Sequence, residues 1–373
     1  MQCTFITGGT GLLGVNIVKE LLQHTSGKIV LLMRKVTVEK RTGLFRDLLA
    51  FNGDQPLDLL SLQRIEFVEG DVTLPRFGLK PTRWDRLVKE VDMVYHSAAV
   101  ITLSGAEHET YSVNVQGTKN VLDFALACRE RGVLDRVVHV STVAVSGNRQ
   151  GTVLEDELDN GQVFNNPYEK SKFEAEKLVM KYRSIGLPVT VVRPSMVIGS
   201  SRTGFTNNFN IFYFQLRLLS QGVFDTVPIT EGAVFNFVPA DLAARAICLI
   251  SGSRESVNNN HHIVNDHSIP VRNFFEKVSA YLGYKKPHFV SPADISPAAL
   301  AGVRGKILSI YYPYVTARKA FDSSRARQIL ESRGFVWPAM NDASLTKMLD
   351  YCIYSGYTTL GSEVGHETGA YNA

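Results

Sequence analysis

Tyr168 and Lys172 stand four residues apart in the run Tyr168-Glu169-Lys170-Ser171-Lys172, a spacing that places both side chains on one face of a helix. A phenol with an ordinary pKa near ~10 is a poor acid–base group at neutral pH. An ammonium beside it, together with a positively charged ring in an oxidised cofactor, lowers that value toward the working range. Such a pair suits proton transfer at a carbonyl oxygen whose carbon gains or loses hydride. Upstream, the apolar run Asp135-Arg136-Val137-Val138-His139-Val140-Ser141 ends beside Thr142, whose hydroxyl can bond and orient the same oxygen.

A second cluster supplies a cradle for a dinucleotide. Cys3 to Thr7 reads as a short buried strand, followed by Gly8-Gly9-Thr10-Gly11-Leu12-Leu13-Gly14. Gly8 lets the chain turn, Gly11 lets backbone approach phosphate, and Gly14 lets the next helix pack closely on the sheet. The helical period from Leu12 to Leu22 aims free N–H groups at an anion. The candidate pyrophosphate residues are therefore Gly8, Thr10, Gly11, Leu12, Leu13 and Gly14. The next strand, Lys28 to Met33, ends in Arg34-Lys35 with no carboxylate. An acidic residue there would bond an adenosine 2′-hydroxyl, whereas Arg34 offers a planar fork for a 2′-phosphate, so the expected cofactor is NADPH/NADP.

The elements that must hold these residues alternate. Strands are expected at 3–7, 28–33, 64–68, 93–96, 136–141 and 189–193, with helical stretches between, notably 107–131 and 167–185. That alternation predicts an α/β fold, a doubly wound parallel sheet with helices on both faces, with ligands beyond the carboxyl ends of the strands. Pro167 suits the first turn of the helix that carries Tyr168. Residues 35–56 read as a helix with a loop.

The expected organisation is a cofactor-binding domain over 1–198, with a returning segment at about 234–265. A mainly substrate-binding lobe follows over 199–360, and then a flexible tail over 361–373. Phe205, Phe209, Phe212, Tyr213, Phe214, Phe224, Phe235 and Phe237 crowd the start of the lobe. Core packing is the simplest account of them, and the wall of an acyl pocket is the alternative. Tyr311-Tyr312-Pro313-Tyr314 reads as a compact aromatic turn, and 342–354 as a last helix.

Composition narrows the function. The 373 residues can bury a large core and a second lobe. A net charge of +4 is too small to suggest a nucleic-acid partner, although it favours an anionic phosphopantetheine or coenzyme A thioester. No apolar run reaches ~18 residues and the first strand begins at once, so neither a membrane span nor a leader is expected, and the location is expected to be cytoplasmic. Cys3, Cys128, Cys248 and Cys352 sit far apart in apolar contexts, as reduced buried thiols do. No metal is expected. His261 and His262 would point to opposite faces of a strand, and no Cys-x-x-Cys or His-x-x-x-His pattern is present. His96 reads as a packed residue behind the cofactor.

Taken together, these motifs resemble the extended branch of the short-chain dehydrogenase/reductase superfamily over roughly residues 1–285, which implies a Rossmann-type fold. The resemblance adds site residues. Glu69-Gly70-Asp71-Val72 resembles the segment that contacts adenine, which implicates Asp71 and Val72. His96-Ser97-Ala98-Ala99 resembles the segment lining the cofactor ribose, through Ser97, Ala98 and Ala99. Asn114-Val115-Gln116-Gly117-Thr118 matches the family's Asn-Val-x-Gly-Thr helix, through Asn114. Val192-Arg193-Pro194-Ser195-Met196-Val197 resembles the segment beside the nicotinamide, through Pro194, Ser195 and Val197. Val238-Pro239-Ala240-Asp241 resembles a late strand-to-helix turn. Tyr168 and Lys172 also belong to the cofactor set, because the ammonium is expected to reach the nicotinamide ribose.

Three features resemble more narrowly the fatty acyl-CoA reductase, or male sterility, group and the thioester reductase domains of peptide and polyketide synthetases and carboxylic acid reductases. They are Leu31-Leu32-Met33-Arg34, the stretch from Gly70 to Leu79, and Gly199-Ser200-Ser201-Arg202-Thr203-Gly204. In that alignment Thr142, rather than Ser141, takes the catalytic Ser/Thr place. The resemblance implies NADPH-dependent reduction of a carrier-protein- or CoA-bound acyl thioester to the aldehyde and, with a second hydride, to the alcohol. The chain shows no carrier motif of its own, so a carrier would act in trans, and a homodimer is compatible with this reading. Two further chemistries use the same residues: reduction of a ketone or aldehyde of the steroid or dihydroflavonol kind, and nucleotide-sugar epimerisation or dehydration. The latter group ends its late strand with Arg-Asp-Trp/Phe, where this chain has Val234-Phe235-Asn236-Phe237-Val238. A non-catalytic dinucleotide sensor is the remaining alternative.

Overall fold

The computed structural model describes residues 2–50, 57–101, 107–220, 225–295 and 302–361. Its centre is a parallel sheet of seven strands: β1 (Cys3–Thr7), β2 (Lys28–Met33), β3 (Ile65–Glu69), β4 (Met93–His96), β5 (Arg136–Val140), β6 (Val189–Pro194) and β7 (Asn260–Ile263). Their spatial order is β7-β6-β5-β4-β1-β2-β3. The order reverses between β1 and β4, which opens a crevice at the carboxyl ends where a doubly wound sheet binds ligands.

The strands are apolar on both faces because both are covered. Within β1, Ile6 packs in one core and Phe5 in the other; Leu31 and Val30 of β2 divide the same way. The Phe5 ring lies 5.5 Å from Phe77 and 4.8 Å from Phe124. Truncating such a residue to alanine costs about 3–5 kcal/mol. Helix α1 (Leu12–His24) covers one face together with α5 (Ala240–Ser251). Helices α2 (Gly117–Glu130) and α3 (Pro167–Ser184) lie on the other.

The stretch expected as one helix over 107–131 is interrupted. Ser112–Gln116 forms a π-helical turn between Glu107–Tyr111 and α2. Single π turns often mark functional positions, and this one carries Asn114. Its wholly buried side chain accepts from the Val100 N–H and donates to the Val100 carbonyl and the Ser171 hydroxyl.

Outside the sheet, α4 (Ile211–Ser220), α6 (Val271–Leu282), α7 (Gly302–Thr316) and α9 (Asp342–Tyr354) gather around a third core, and α8 (Ser324–Ser332) packs on α5. Phe212, Tyr213, Phe235 and Phe237 are buried there with Phe274, as core packing predicts. Phe214 remains partly exposed, and Phe224 lies outside the described residues.

The aromatic turn expected at 311–314 is instead the end of α7, with Pro313 inside the helix. Pro313 has no N–H to donate to the carbonyl one turn back, so the helix carries it at the cost of one bond and ends three residues on, at Thr316. The segment divides its rings: Tyr311 is buried in the third core, while the Tyr314 hydroxyl donates to Glu169. The helix expected within 35–56 spans Val38–Ala50; residues 51–56 and 362–373, which take in all of the expected tail but Gly361, lie outside the described residues.

Candidate active site

The crevice opens into a cavity of about 630 Å³. Gly8, Gly11, Leu12, Leu13, Gly14, Ser97, Ala99, Thr142, Tyr168, Lys172, Pro194, Ser195 and Val197 all line it, so thirteen residues singled out from the sequence meet in one space. Thr10, Arg34, Asp71, Val72, Ala98 and Asn114 do not line it.

The glycines separate by what they avoid. Gly8 has φ +74°, and a Cβ there would lie 2.5 Å from the Ala98 nitrogen. A Cβ on Gly14 would lie 2.0 Å from the Gly8 carbonyl oxygen. Both are required by the protein's own packing. A Cβ on Gly11 would meet only the Gly8 oxygen, at an ordinary 3.4 Å. The space in front of Gly11 is therefore open to a ligand. No side chain caps α1 at Gly11, so its first N–H groups face that space and favour an anion. The residues present fit a dinucleotide pyrophosphate.

The adenosine end of such a ligand would reach the tips of β2 and β3. Arg34 is exposed just past β2, beside the turn at Gly70, whose N–H donates to the Met33 carbonyl. Asp71 accepts from the Thr73 N–H and hydroxyl. The Val72 carbonyl accepts from Asn120, so these two residues fix the loop beyond β3. Ala98 packs beneath Gly8, and Thr10 is exposed at the tip of the glycine turn.

At the other end, α3 begins with Asn166 accepting the Glu169 N–H at 3.0 Å and with Pro167 in its first turn. This cap fixes Tyr168 at the cavity. The Thr142 hydroxyl lies near the Tyr168 phenol, close enough to favour its ionised form. Thr142 itself caps a short 3₁₀ turn over Val143–Ser146 by accepting the Ala144 N–H at 3.2 Å.

Lys172, one turn further along α3, is 2% exposed and donates to the Val140 carbonyl at 2.8 Å. Burial lowers its pKa to about 8, opposed by the charge of Glu176. The expected lowering of the Tyr168 phenol is not found. Burial pushes it up to about 12, against the Thr142 hydroxyl and with the Glu169 charge. The physical reason is that the ammonium is spent on the Val140 carbonyl while the phenol is desolvated. At neutral pH this tyrosine is protonated, the form a proton donor requires.

Ser141 and Thr142 have separate fates. Ser141 donates to Glu176, and Glu176 holds Arg193 through contacts at 2.7–3.1 Å in the interior. Removing one partner of such a buried pair costs about 3–5 kcal/mol. Both residues border the cavity, but the Ser141 hydroxyl is committed to the buried brace with Glu176, whereas Thr142 lies beside Tyr168.

His96 is packed as expected, hydrogen-bonded to the Thr7 and Thr118 hydroxyls at 2.7 and 2.9 Å. Burial lowers its pKa to about 3, so it is neutral. His261 and His262 are both buried in β7, and the His262 Nδ1 bonds the Asp322 carbonyl. Among the described residues, no group of three His, Cys, Asp or Glu side chains is placed to hold a metal. The four cysteines are free. Among the same residues, no helix is long and apolar enough to cross a membrane.

Several cavity residues carried no sequence signal. Glu169, 1% exposed, accepts from Asn165 and from the Tyr314 hydroxyl of α7, so the lobe is tied to the residue beside Tyr168. Asn236 accepts from the hydroxyl of Ser195, itself expected from the sequence, at 2.7 Å. Lys319 donates to the Gly147 carbonyl, and Gln215 projects from α4. These come from four separate stretches that only the folded chain assembles.

The male sterility protein model, an NAD-binding family, matches residues 6–247. A linear gramicidin synthase of Brevibacillus parabrevis is 28% identical over 271 residues, 71% of this chain and 5% of that protein. A carboxylic acid reductase of Segniliparus rugosus is 27% identical over 295 residues, 72% of this chain and 24% of that protein. The chain therefore spans less than a quarter of either relative. The crystal structure of the terminal R domain from the myxalamid PKS-NRPS biosynthetic pathway superposes with a TM-score of 0.80 at 26% identity, covering 97% of this chain and 93% of that one. This chain belongs to the male sterility protein family.

Proposed function

We propose that the chain reduces the carbonyl of an acyl thioester with NADPH, releasing an aldehyde and a free thiol. The observation that carries this reading is the pair of neighbouring hydroxyls, Thr142 and a protonated Tyr168, on the wall of the cavity. The relatives' own names, gramicidin synthase and carboxylic acid reductase, support the thioester class.

When bound, the nicotinamide cofactor supplies hydride. Gly8, Gly11 and Gly14 would cradle its pyrophosphate, Pro194, Ser195 and Val197 would flank its nicotinamide end, and Arg34 would bond the 2′-phosphate. Ser97 and Ala99 line the wall between, Asp71 and Val72 would meet the adenosine from the loop beyond β3, Ala98 packs beneath Gly8, and Asn114 ties Val100 to Ser171. The protein's part is proton management. Tyr168 gives its proton to the carbonyl oxygen as negative charge develops there, and Thr142 donates a hydrogen bond to the same oxygen. A positioned general acid contributes roughly 10²–10⁴-fold, and one such donor roughly 10²–10³-fold. Expulsion of the thiol then leaves the aldehyde, so each turnover consumes one NADPH and one proton and yields one thiol. A second hydride to the same carbon gives the alcohol and doubles the NADPH consumed per thiol.

The reading also divides the chain into a cofactor domain over 1–198 with its return at 234–265 and a substrate lobe over 199–360. The acyl group would arrive on coenzyme A or on a carrier protein in trans. The test is an assay of NADPH oxidation across acyl-CoAs, aldehydes and ketones, with free thiol titrated alongside. Thiol released in step with NADPH consumed supports the proposal. Turnover of ketones alone, with intact thioesters, overturns it.

A further inference from the structure

Gln215 is a cavity residue whose chemistry the reaction leaves unused and whose polar atoms are wholly unmatched. It lies in the middle of α4 and is 1% exposed. Neither its Nε2 donor nor its Oε1 acceptor has a partner among the described residues. Buried amides nearly always find partners, and an unpaired one is costly. Ile211, one turn earlier on α4, and Val234 and Phe235 line the same cavity and offer it no side-chain partner. Asn210, at the start of the same helix, has both ends of its amide committed, to the Val197 carbonyl and the Phe212 N–H. What sets Gln215 apart from Asn210 is that its donor and its acceptor are both buried and both without a partner among the described residues.

We infer that the substrate carries an amide, and that Gln215 pairs with it through both its N–H and its carbonyl. The inference rests on the thioester reading and deepens it. A plain hydrocarbon chain would bury the Gln215 amide without a partner, so the site discriminates against it. The amide has two possible sources, the acyl portion itself or the phosphopantetheine arm that bears the thioester. Both present one N–H and one carbonyl of complementary sense.

The experiment uses a near-isosteric pair of acyl groups, octanoyl and N-butanoyl-β-alanyl, each on coenzyme A and on ethanethiol. Reduction is followed by NADPH oxidation, and binding of the unreactive thioether analogues by calorimetry. Wild type is compared with Gln215→Leu and Gln215→Met, with thermal stability measured for all three. The variants should be at least as stable as wild type, since an unmatched amide is removed. They should lose about ten- to hundred-fold in affinity and kcat/KM for ligands bearing the paired amide, and nothing for the others. A loss confined to the butanoyl-β-alanyl ligands places the amide in the acyl group. A loss confined to the coenzyme A ligands places it in the arm. Equal losses across all four, no loss at all, or variants markedly less stable than wild type would overturn the inference and make Gln215 structural or water-bonded. Thioethers that bind while no thioester is reduced would refute the thioester reading and leave the Gln215 comparison decided by binding.

Discussion

The two ends of the cavity are built differently. The end at the glycine turn is made of backbone: Gly8, Gly11 and Gly14 lie within seven residues, the roles of Gly8 and Gly14 follow from where a Cβ could not go, and that of Gly11 from the space left open before it. The end under α4 and α7 is made of side chains, Gln215, Phe235, Tyr314 and Lys319, brought together from across more than a hundred residues. A backbone site tolerates almost no change and binds one kind of ligand. A side-chain site can be rebuilt one residue at a time, so the fold can keep its cofactor and change its substrate.

The largest expected effect breaks the backbone end. Gly14→Ala would push a Cβ to 2.0 Å from the Gly8 oxygen. It should abolish measurable NADPH binding and destabilise the protein by about 1–3 kcal/mol, as overpacking does. Gly11→Ala meets nothing closer than 3.4 Å, so it should weaken NADPH and leave the melting temperature unchanged. Calorimetry and thermal unfolding of the two variants check the distinction. If both variants melt early, the space at Gly11 is not ligand space.

Next in size is Thr142→Val, which removes one donor from the reacting oxygen. It should lower kcat by roughly 10²–10³-fold and leave NADPH affinity within about twofold. Ser141→Ala should instead lower stability, because Ser141 serves the Glu176–Arg193 brace. Steady-state kinetics beside denaturant unfolding would separate them, and a reversal of the two outcomes would reassign the catalytic hydroxyl.

Arg34→Ala should raise the Michaelis constant for NADPH by about ten- to hundred-fold, the worth of a charge-assisted hydrogen bond of roughly 1.5–3 kcal/mol, with little change for NADH. Added salt should narrow the gap, since Arg34 is exposed. An unchanged cofactor ratio in the variant would refute the role of Arg34.

The smallest effect near neutrality is a pH dependence. Burial holds the Lys172 pKa at about 8; its ammonium is charged below that value and lost above it. If the charge helps bind the anionic cofactor, kcat/KM for NADPH should be level below pH 8 and fall up to tenfold per unit above it. A profile flat to pH 10 would show that the ammonium is not needed.

How much of this is legible in the sequence follows the same division. The sheet, the glycine turn and the Tyr168–Lys172 pair are local patterns, and each is found where its spacing predicts. The motif residue Asn114 is buried between Val100 and Ser171 rather than in the cavity, because a π turn rotates it inward. Tyr311–Tyr314 reads as a turn but folds as helix, because proline near a helix end looks like a helix break. The raised pKa of Tyr168 is not legible, since burial and the Val140 contact of Lys172 belong to tertiary structure. Gln215 gives no signal, because an unpaired amide is a property of its surroundings.

The central claim is that Tyr168 delivers the proton while the backbone end of the cavity holds the cofactor independently. Tyr168→Phe tests it most directly, with NADPH affinity and single-turnover reduction of one acyl-CoA measured on the same preparation. The account predicts an NADPH dissociation constant within about twofold of wild type and a reduction rate lower by roughly 10²–10⁴-fold. A near-normal rate, or a rate loss explained wholly by weakened NADPH binding, would contradict it.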